Sequence, residues 1–288
     1  MEWLTSPLVK HFDSLFAECG NRCLICSPFV KQWAVDRFLD RLPSPRNLRL
    51  EVLTNLSIDA LLSGATEVTA VASLVDRVRE GTVVHLPGLH AKVYVAESQT
   101  AIMGSCNFTH GGLISNYECG VRVDDRHSIL KLQDDLAAYA SLGALLSIND
   151  LRQLESDIVD LKATIASETE SVPDEVKQRK QKLQDKLERR FLRLRTTHET
   201  VHAIFADTIL YVLRDGPMKT TEMHQHIASI HPDLCDDTMD RVIDGQHFGK
   251  LWKHQVRTAQ QHLKKKGKIA YDNTEKKWYL TADETVGS

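Results

Sequence analysis

Apolar residues recur at two periods along the first half of the chain. Over residues 4–19, 29–42 and 68–78 they return every three or four positions, the spacing of a helix with one buried face. Over 22–27, 48–54 and 83–86 they alternate or run together, as in half-buried and fully buried strands. Pro28 and the run Pro43-Ser44-Pro45 break the chain between these elements. Strands alternating with helices predict a layered α/β domain over residues 1–147. The stretch 90–118, HAKVYVAESQTAIMGSCNFTHGGLISNYE, carries two more strand-like runs, and a short helix is expected to open at residue 108. A last strand over 117–123 and a closing helix over 128–142 complete the expectation.

From residue 148 the rhythm changes. Leu151, Leu154, Ile158, Leu161 and Ile165 follow the 3,4 spacing of a coiled-coil seam, and Val176, Leu183, Leu187, Phe191 and Leu194 form a second stripe. The turn at Ser171-Val172-Pro173-Asp174 makes these two arms an antiparallel helical hairpin over 148–197. Residues 148–171 hold two basic and six acidic side chains, net −4, whereas residues 176–195 hold nine basic and two acidic, net +7. A spacer or dimer arm is the expected role. In the final domain, residues 198–288, helices are expected over 203–214, 220–230 and 250–266, then a hairpin of strands 267–271 and 276–280.

Composition narrows the classes. A chain of 288 residues with 42% hydrophobic content is long enough for two cores. Its apolar runs fall short of the roughly 20 residues that a membrane span needs, and the first residues lack the pattern of an export signal. A cytoplasmic protein without a membrane partner is expected. Cys19-x3-Cys23-x2-Cys26 has the spacing of an iron–sulfur triad, but a strand over 23–27 sends alternate side chains to opposite faces and cannot wrap a cluster. These thiols, and Cys106, are read as packing residues, with no metal or cofactor expected. His85 lies in an apolar strand and is read as structural, while no spacing assigns His110 a role. His224 and His226, two apart on a helix, face different ways and are not a metal pair.

The chemistry gathers in the stretch 90–118. Alternation along a strand puts His90, Lys92 and Tyr94 on one face. Gly104-Ser105-Cys106-Asn107 then offers a glycine for close backbone approach, a hydroxyl and an amide. Together imidazole, ammonium, hydroxyl and carboxamide suit a phosphate: the ring attacks phosphorus or delivers a proton, and the others stabilise oxygens that gain charge.

The spacing His90-x-Lys92-x4-Glu97-x6-Gly104-Ser105-x-Asn107, followed by Asn116-Tyr117-Glu118, resembles the HKD motif of the phospholipase D superfamily, in its nuclease-like branch. One position departs from the motif, since Glu97 stands where the family has aspartate. The resemblance implies an α/β/α sandwich and a two-step, metal-independent phosphodiester hydrolysis through a phosphohistidine. It also implies roles. His90 would be the nucleophile and a second His90 the general acid. Lys92 and Asn107 would clamp the phosphate, Ser105 would support it, and Glu118 would accept a hydrogen bond from the imidazole. The family's site uses two such motifs, yet the full spacing occurs once: the other His-x-Lys pair, His262-x-Lys264, has Ile269 at the acid's position and no Gly-Ser-x-Asn run after it. A homodimer with one composite site on the two-fold axis is therefore expected.

Net charge of −3 conceals a basic end: residues 250–278 hold nine basic and two acidic side chains, net +7. On the helix expected there, Trp252, Val256, Ala259 and Leu263 mark an apolar face, and Lys250, Lys253, His254, Arg257, Gln261 and Lys264 a polar, mainly basic one. Three helices followed by a two-stranded hairpin is the order of a winged helix-turn-helix. The runs Trp252-Lys253-His254-Gln255-Val256-Arg257 and Leu263-Lys264-Lys265-Lys266-Gly267, with Trp278-Tyr279-Leu280-Thr281, resemble winged helices beside restriction nucleases of the Mrr type. That resemblance implies duplex DNA as partner, restriction or anti-phage defence as setting, and a helicase or other defence subunit as companion. Two other functions stay open: an adaptor subunit of such a complex, and a phospholipid phosphodiesterase.

Overall fold

A computed structural model describes residues 1–167, 200–243 and 246–281, together with positions 178, 181, 182, 185, 190–194 and 196. The chain divides into two compact units, Met1–Arg189 and Arg190–Ser288.

The first unit is built on one mixed sheet. Its elements are β1 (Glu2–Thr5), α1 (Val9–Ala17), β2 (Arg22–Cys26), α2 (Gln32–Arg41), β3 (Arg49–Thr54), α3 (Ile58–Leu62), α4 (Val68–Asp76) and β4 (Glu80–His85). They continue with β5 (Val93–Ala96), β6 (Thr100–Gly104), β7 (Cys119–Val123), α5 (Arg126–Ser141), β8 (Ala144–Leu146) and α6 (Ile148–Ser167). The eight strands lie in the order β1-β7-β6-β5-β2-β3-β4-β8. β2, β3 and β4 are parallel, joined through helices as parallel strands must be, and the remaining neighbours are antiparallel. All four residues of β5 are buried, which is why its sequence, VYVA, is apolar on both faces. Edge-to-face rings tie helices to the sheet: Phe12 meets Tyr94 at 4.7 Å between centroids, Phe16 meets Phe38 at 5.0 Å and Phe108 at 6.0 Å.

Three expectations change. The helix expected from residue 4 begins at Val9, because Ser6-Pro7 interrupts it and residues 2–5 instead form an edge strand against β7. β8, three residues long, is too short to show a period in sequence. The seam of α6 is spoken for: Leu151, Leu154, Ile158 and Leu161 are buried, and the helix packs on α4 and α3 within the first unit. Most of the second hairpin arm lies outside the described residues.

In the second unit, α7 (Val201–Val212), α8 (Thr220–Ile230) and α9 (Leu251–Lys265) surround a core that includes Phe205, Ile209, Ile227, Trp252, Val256 and Trp278. Two hairpins accompany them. The first, β9 (Asp240–Ile243) and β10 (Gln246–Lys250), precedes α9 and departs from the expected order of elements. The second, β11 (Ile269–Asp272) and β12 (Lys277–Leu280), is the expected one. Met218, between α7 and α8, pairs with Trp278 through reciprocal backbone bonds of 3.0 and 2.9 Å.

Candidate active site

The motif residues gather at one end of β5 and β6. β5 begins at Val93, so His90 and Lys92 sit on the connection leading into it rather than on the strand itself. They still converge, with Lys92 Nζ 3.1 Å from His90 Nδ1 and 2.6 Å from the His90 carbonyl oxygen, to which it donates. The imidazole is exposed while Lys92 is only 6% exposed. Burial pushes the Lys92 ammonium below its ordinary pKa, opposed by the nearby Glu118 carboxylate and Cys26. The Gly104 N–H donates to the Lys92 carbonyl at 3.2 Å, which fixes the lysine against the start of the Gly-Ser turn.

On the other side of that turn, Ser105 Oγ donates to one carboxylate oxygen of Glu118, and Asn116 Nδ2 donates to the other at 3.1 Å. Glu118 was expected to accept from the imidazole. Among the described residues no bond joins His90 and Glu118, because Ser105 and Asn116 hold the carboxylate instead. Ser6, just after β1, fixes the Glu118 backbone: its hydroxyl accepts from the Glu118 N–H at 2.6 Å. Asn107 is placed by its neighbours. Phe108 is fully buried among the aromatic rings, and a Cβ on Gly112 would meet the Asn107 carbonyl oxygen at 2.3 Å. Gly104 is similarly confined, since a Cβ there would meet the Cys119 carbonyl oxygen at 2.3 Å. The helical turn expected after the motif is short, Gly111–Ser115. Asn107 Oδ1 is buried without a hydrogen-bond partner.

Glu97 stands at the far end of β5. Its carboxylate accepts from the backbone N–H groups of Asn21 and Arg22, at 3.0 Å for Arg22, so it ties the β5–β6 turn to the start of β2. Both Glu97 and Ser98 have φ near +55°, at 53° and 55°. His85 is structural, its Nδ1 accepting from Leu56 N–H at 3.0 Å. Burial raises the Cys106 thiol to about 12, so it stays protonated and suits packing rather than attack. Cys19, Cys23 and Cys26 are buried.

The polar face of α9 in the second unit divides in two. Lys253, Arg257, Gln261 and Lys264 are exposed. Lys250 is ion-paired with Asp240 at 2.8 Å, and His254 faces Arg241 at 3.1 Å and the Phe248 carbonyl. The β9–β10 hairpin thus engages two of the six residues assigned to DNA. Lys253 lies 5.3 Å from the Trp252 ring centroid, and Lys264 5.9 Å from that of Trp278.

Residues 13–139 match the family described as Cardiolipin synthase, PLD-like domain. Similar solved structures include NucT from Helicobacter pylori, 16% identical, covering 48% of this chain and 96% of that one with a TM-score of 0.39. Nuc from Salmonella typhimurium, a phospholipase D family member, is 13% identical, with 50% and 96% covered and a TM-score of 0.42. Phosphatidylserine synthase from Haemophilus influenzae is 16% identical, with 58% and 43% covered and a TM-score of 0.41. No curated protein matches the chain. The family match takes in His90, Lys92, Ser105, Asn107 and Glu118. On that match residues 13–139 are similar to PLD-like domains.

Proposed function

We propose that this chain is a phosphodiesterase acting on DNA, a nuclease whose two copies build one composite site, with restriction or anti-phage defence as its setting. The observation that carries the reading is the meeting of His90 and Lys92 beside the Ser105–Glu118–Asn116 cluster, at the end of the sheet where Asn107 also lies. In the proposed reaction, one His90 ring attacks phosphorus as the bond to the leaving oxygen breaks, and the other His90 gives that oxygen a proton. Water then attacks phosphorus, yielding a proton to the second ring as the phosphorus–nitrogen bond breaks.

Lys92 sets a condition on the first step. A protonated Lys92 donates to Nδ1, which leaves the proton of a neutral ring on Nε2. Attack through Nε2 requires the opposite tautomer. A phosphodiester is a stronger acceptor than Nδ1, so its arrival draws the ammonium away and frees Nδ1 to carry the proton. Lys92 then stabilises the oxygens on which charge develops.

For the second unit, the order of three helices and a hairpin, with Met218 bonded to Trp278, supports a winged helix that holds duplex DNA. Lys253, Arg257, Gln261 and Lys264 are the residues that touch it, and Lys250 and His254 position the β9–β10 hairpin. The test is cleavage of DNA in excess chelator. Wild-type protein is expected to cut and His90→Ala to be inert. Equal cutting by both removes the mechanism, and silence of the wild type until a helicase or similar subunit is added supports the adaptor role instead.

A further inference from the structure

Beside the catalytic residues, the first unit holds a cavity of about 580 Å³, whose walls include Phe29, Trp33, Asn107, Thr109, His110 and Asn116. We propose that this cavity is a nucleobase subsite, in which the Trp33–His110 pair is the aromatic wall against which the base next to the scissile phosphate stacks. The inference rests on the nuclease reading above and adds the part of the substrate that the phosphate-binding residues do not touch.

Three observations converge. The volume falls in the range of pockets for small organic ligands, about 300–1,000 Å³. Trp33 and His110 form an edge-to-face pair, 4.7 Å between centroids and 74° between planes, and neither has a part in the phosphate chemistry. The Arg37 guanidinium lies 5.6 Å from the indole centroid and is itself held by Asp13, which fixes the tryptophan at the cavity wall. Aromatic side chains bind bases by stacking, whatever the sequence.

Charge excludes the alternatives. Lys31 in the lining is paired with Glu67 at 3.0 Å, and Glu67 also accepts from the Gln32 N–H at 2.8 Å. Burial raises the Glu67 pKa, but these donors outweigh it and hold the carboxylate below its ordinary value, so the pair stays charged and internally neutralised. A cavity so balanced offers no net attraction to a second phosphate or to a quaternary ammonium, and favours a neutral, flat, polar group. Two residues link the cavity to catalysis: Asn107 and Asn116 line it, and Asn116 also holds Glu118. A base seated there stays attached to the phosphate at His90.

The test compares two p-nitrophenyl phosphodiesters, one carrying thymidine and one carrying methyl, on wild type, His110→Ala, Trp33→Ala and Trp33→Phe. His110 is exposed, so its truncation leaves the fold intact. The two alanine variants are expected to raise KM for the thymidine ester about tenfold, the scale of removing one stacking partner. They should hold kcat/KM for the methyl ester within about twofold, and Trp33→Phe should keep most of the thymidine preference. Equal losses on both esters, or none on either, overturn the subsite while leaving the chemistry at His90 standing. Loss of choline release from phosphatidylcholine vesicles, with thymidine ester turnover unchanged, makes the cavity a lipid-headgroup site and also overturns it. Full turnover of both esters by His90→Ala fails the catalytic reading instead.

Discussion

Lys92 is the residue whose environment and task are most at odds. It is nearly buried, which disfavours its charge, and its charge is what the proposed grip on a phosphate needs. Glu118 supplies part of the compensation, since its carboxylate raises the Lys92 pKa. The sign of the pH effect follows. Lys92 loses its proton at a lower pH than a free lysine, so the alkaline limb of kcat/KM lies below the ordinary lysine value. In Glu118→Gln the opposing carboxylate is gone, and that limb moves further down. A pH profile on a small phosphodiester checks both statements, and a limb that stays put or rises in Glu118→Gln contradicts them. The same residue shows what the sequence conveys and what it does not. The spacing His90-x-Lys92 was legible and so was convergence of the two side chains. Glu118 was visible as part of the site, but its partners were not, because Ser105 and Asn116 reach it only when the β6–β7 pairing folds residue 105 against residue 119.

At the scale of elements, the helices and strands with a strong period were legible, as α8, α9 and the β11–β12 hairpin show. Those without one were not. β1 has four residues and a single buried one, Leu4, so its pairing with β7 left little trace. The β9–β10 hairpin is hard to read in the sequence because its apolar positions, Val242 and Phe248, are about half exposed and do not mark a core face. Its presence changes the account of α9. Lys250 is neutralised by Asp240, whereas Lys253 and Arg257 are exposed. Replacing Lys253 and Arg257 with alanine is therefore expected to reduce the slope of log binding constant against log salt by about 0.9 for each phosphate no longer neutralised. Lys250→Ala should leave the slope nearly unchanged. Fluorescence titrations of a DNA duplex at several salt concentrations decide the matter, and a larger effect from Lys250 than from the other two contradicts the assignment.

For the whole molecule, the proposed reaction uses two motifs where the chain carries one, so the proposal stands or falls with association of two copies. The surface next to the motif fits that need. Trp3 and Thr5 of β1 lie opposite Val121 and Cys119 of β7, and so share one face of the sheet edge. Trp3 is 79% exposed, and Tyr117, just before β7, is fully exposed. Each is a large aromatic side chain left in water, and both are proposed as contacts between the two copies. Light scattering is expected to give twice the chain mass of 32.5 kDa, falling to one chain mass in Trp3→Glu with Tyr117→Glu, with activity falling in step. An active monomer would remove the composite site. The most direct measurement concerns the phosphorus atom itself. Two displacements through a phosphohistidine at His90 return the original configuration, so hydrolysis of a chiral phosphorothioate diester in labelled water is predicted to proceed with retention. Inversion would mean that water attacks in a single step, and would contradict the account.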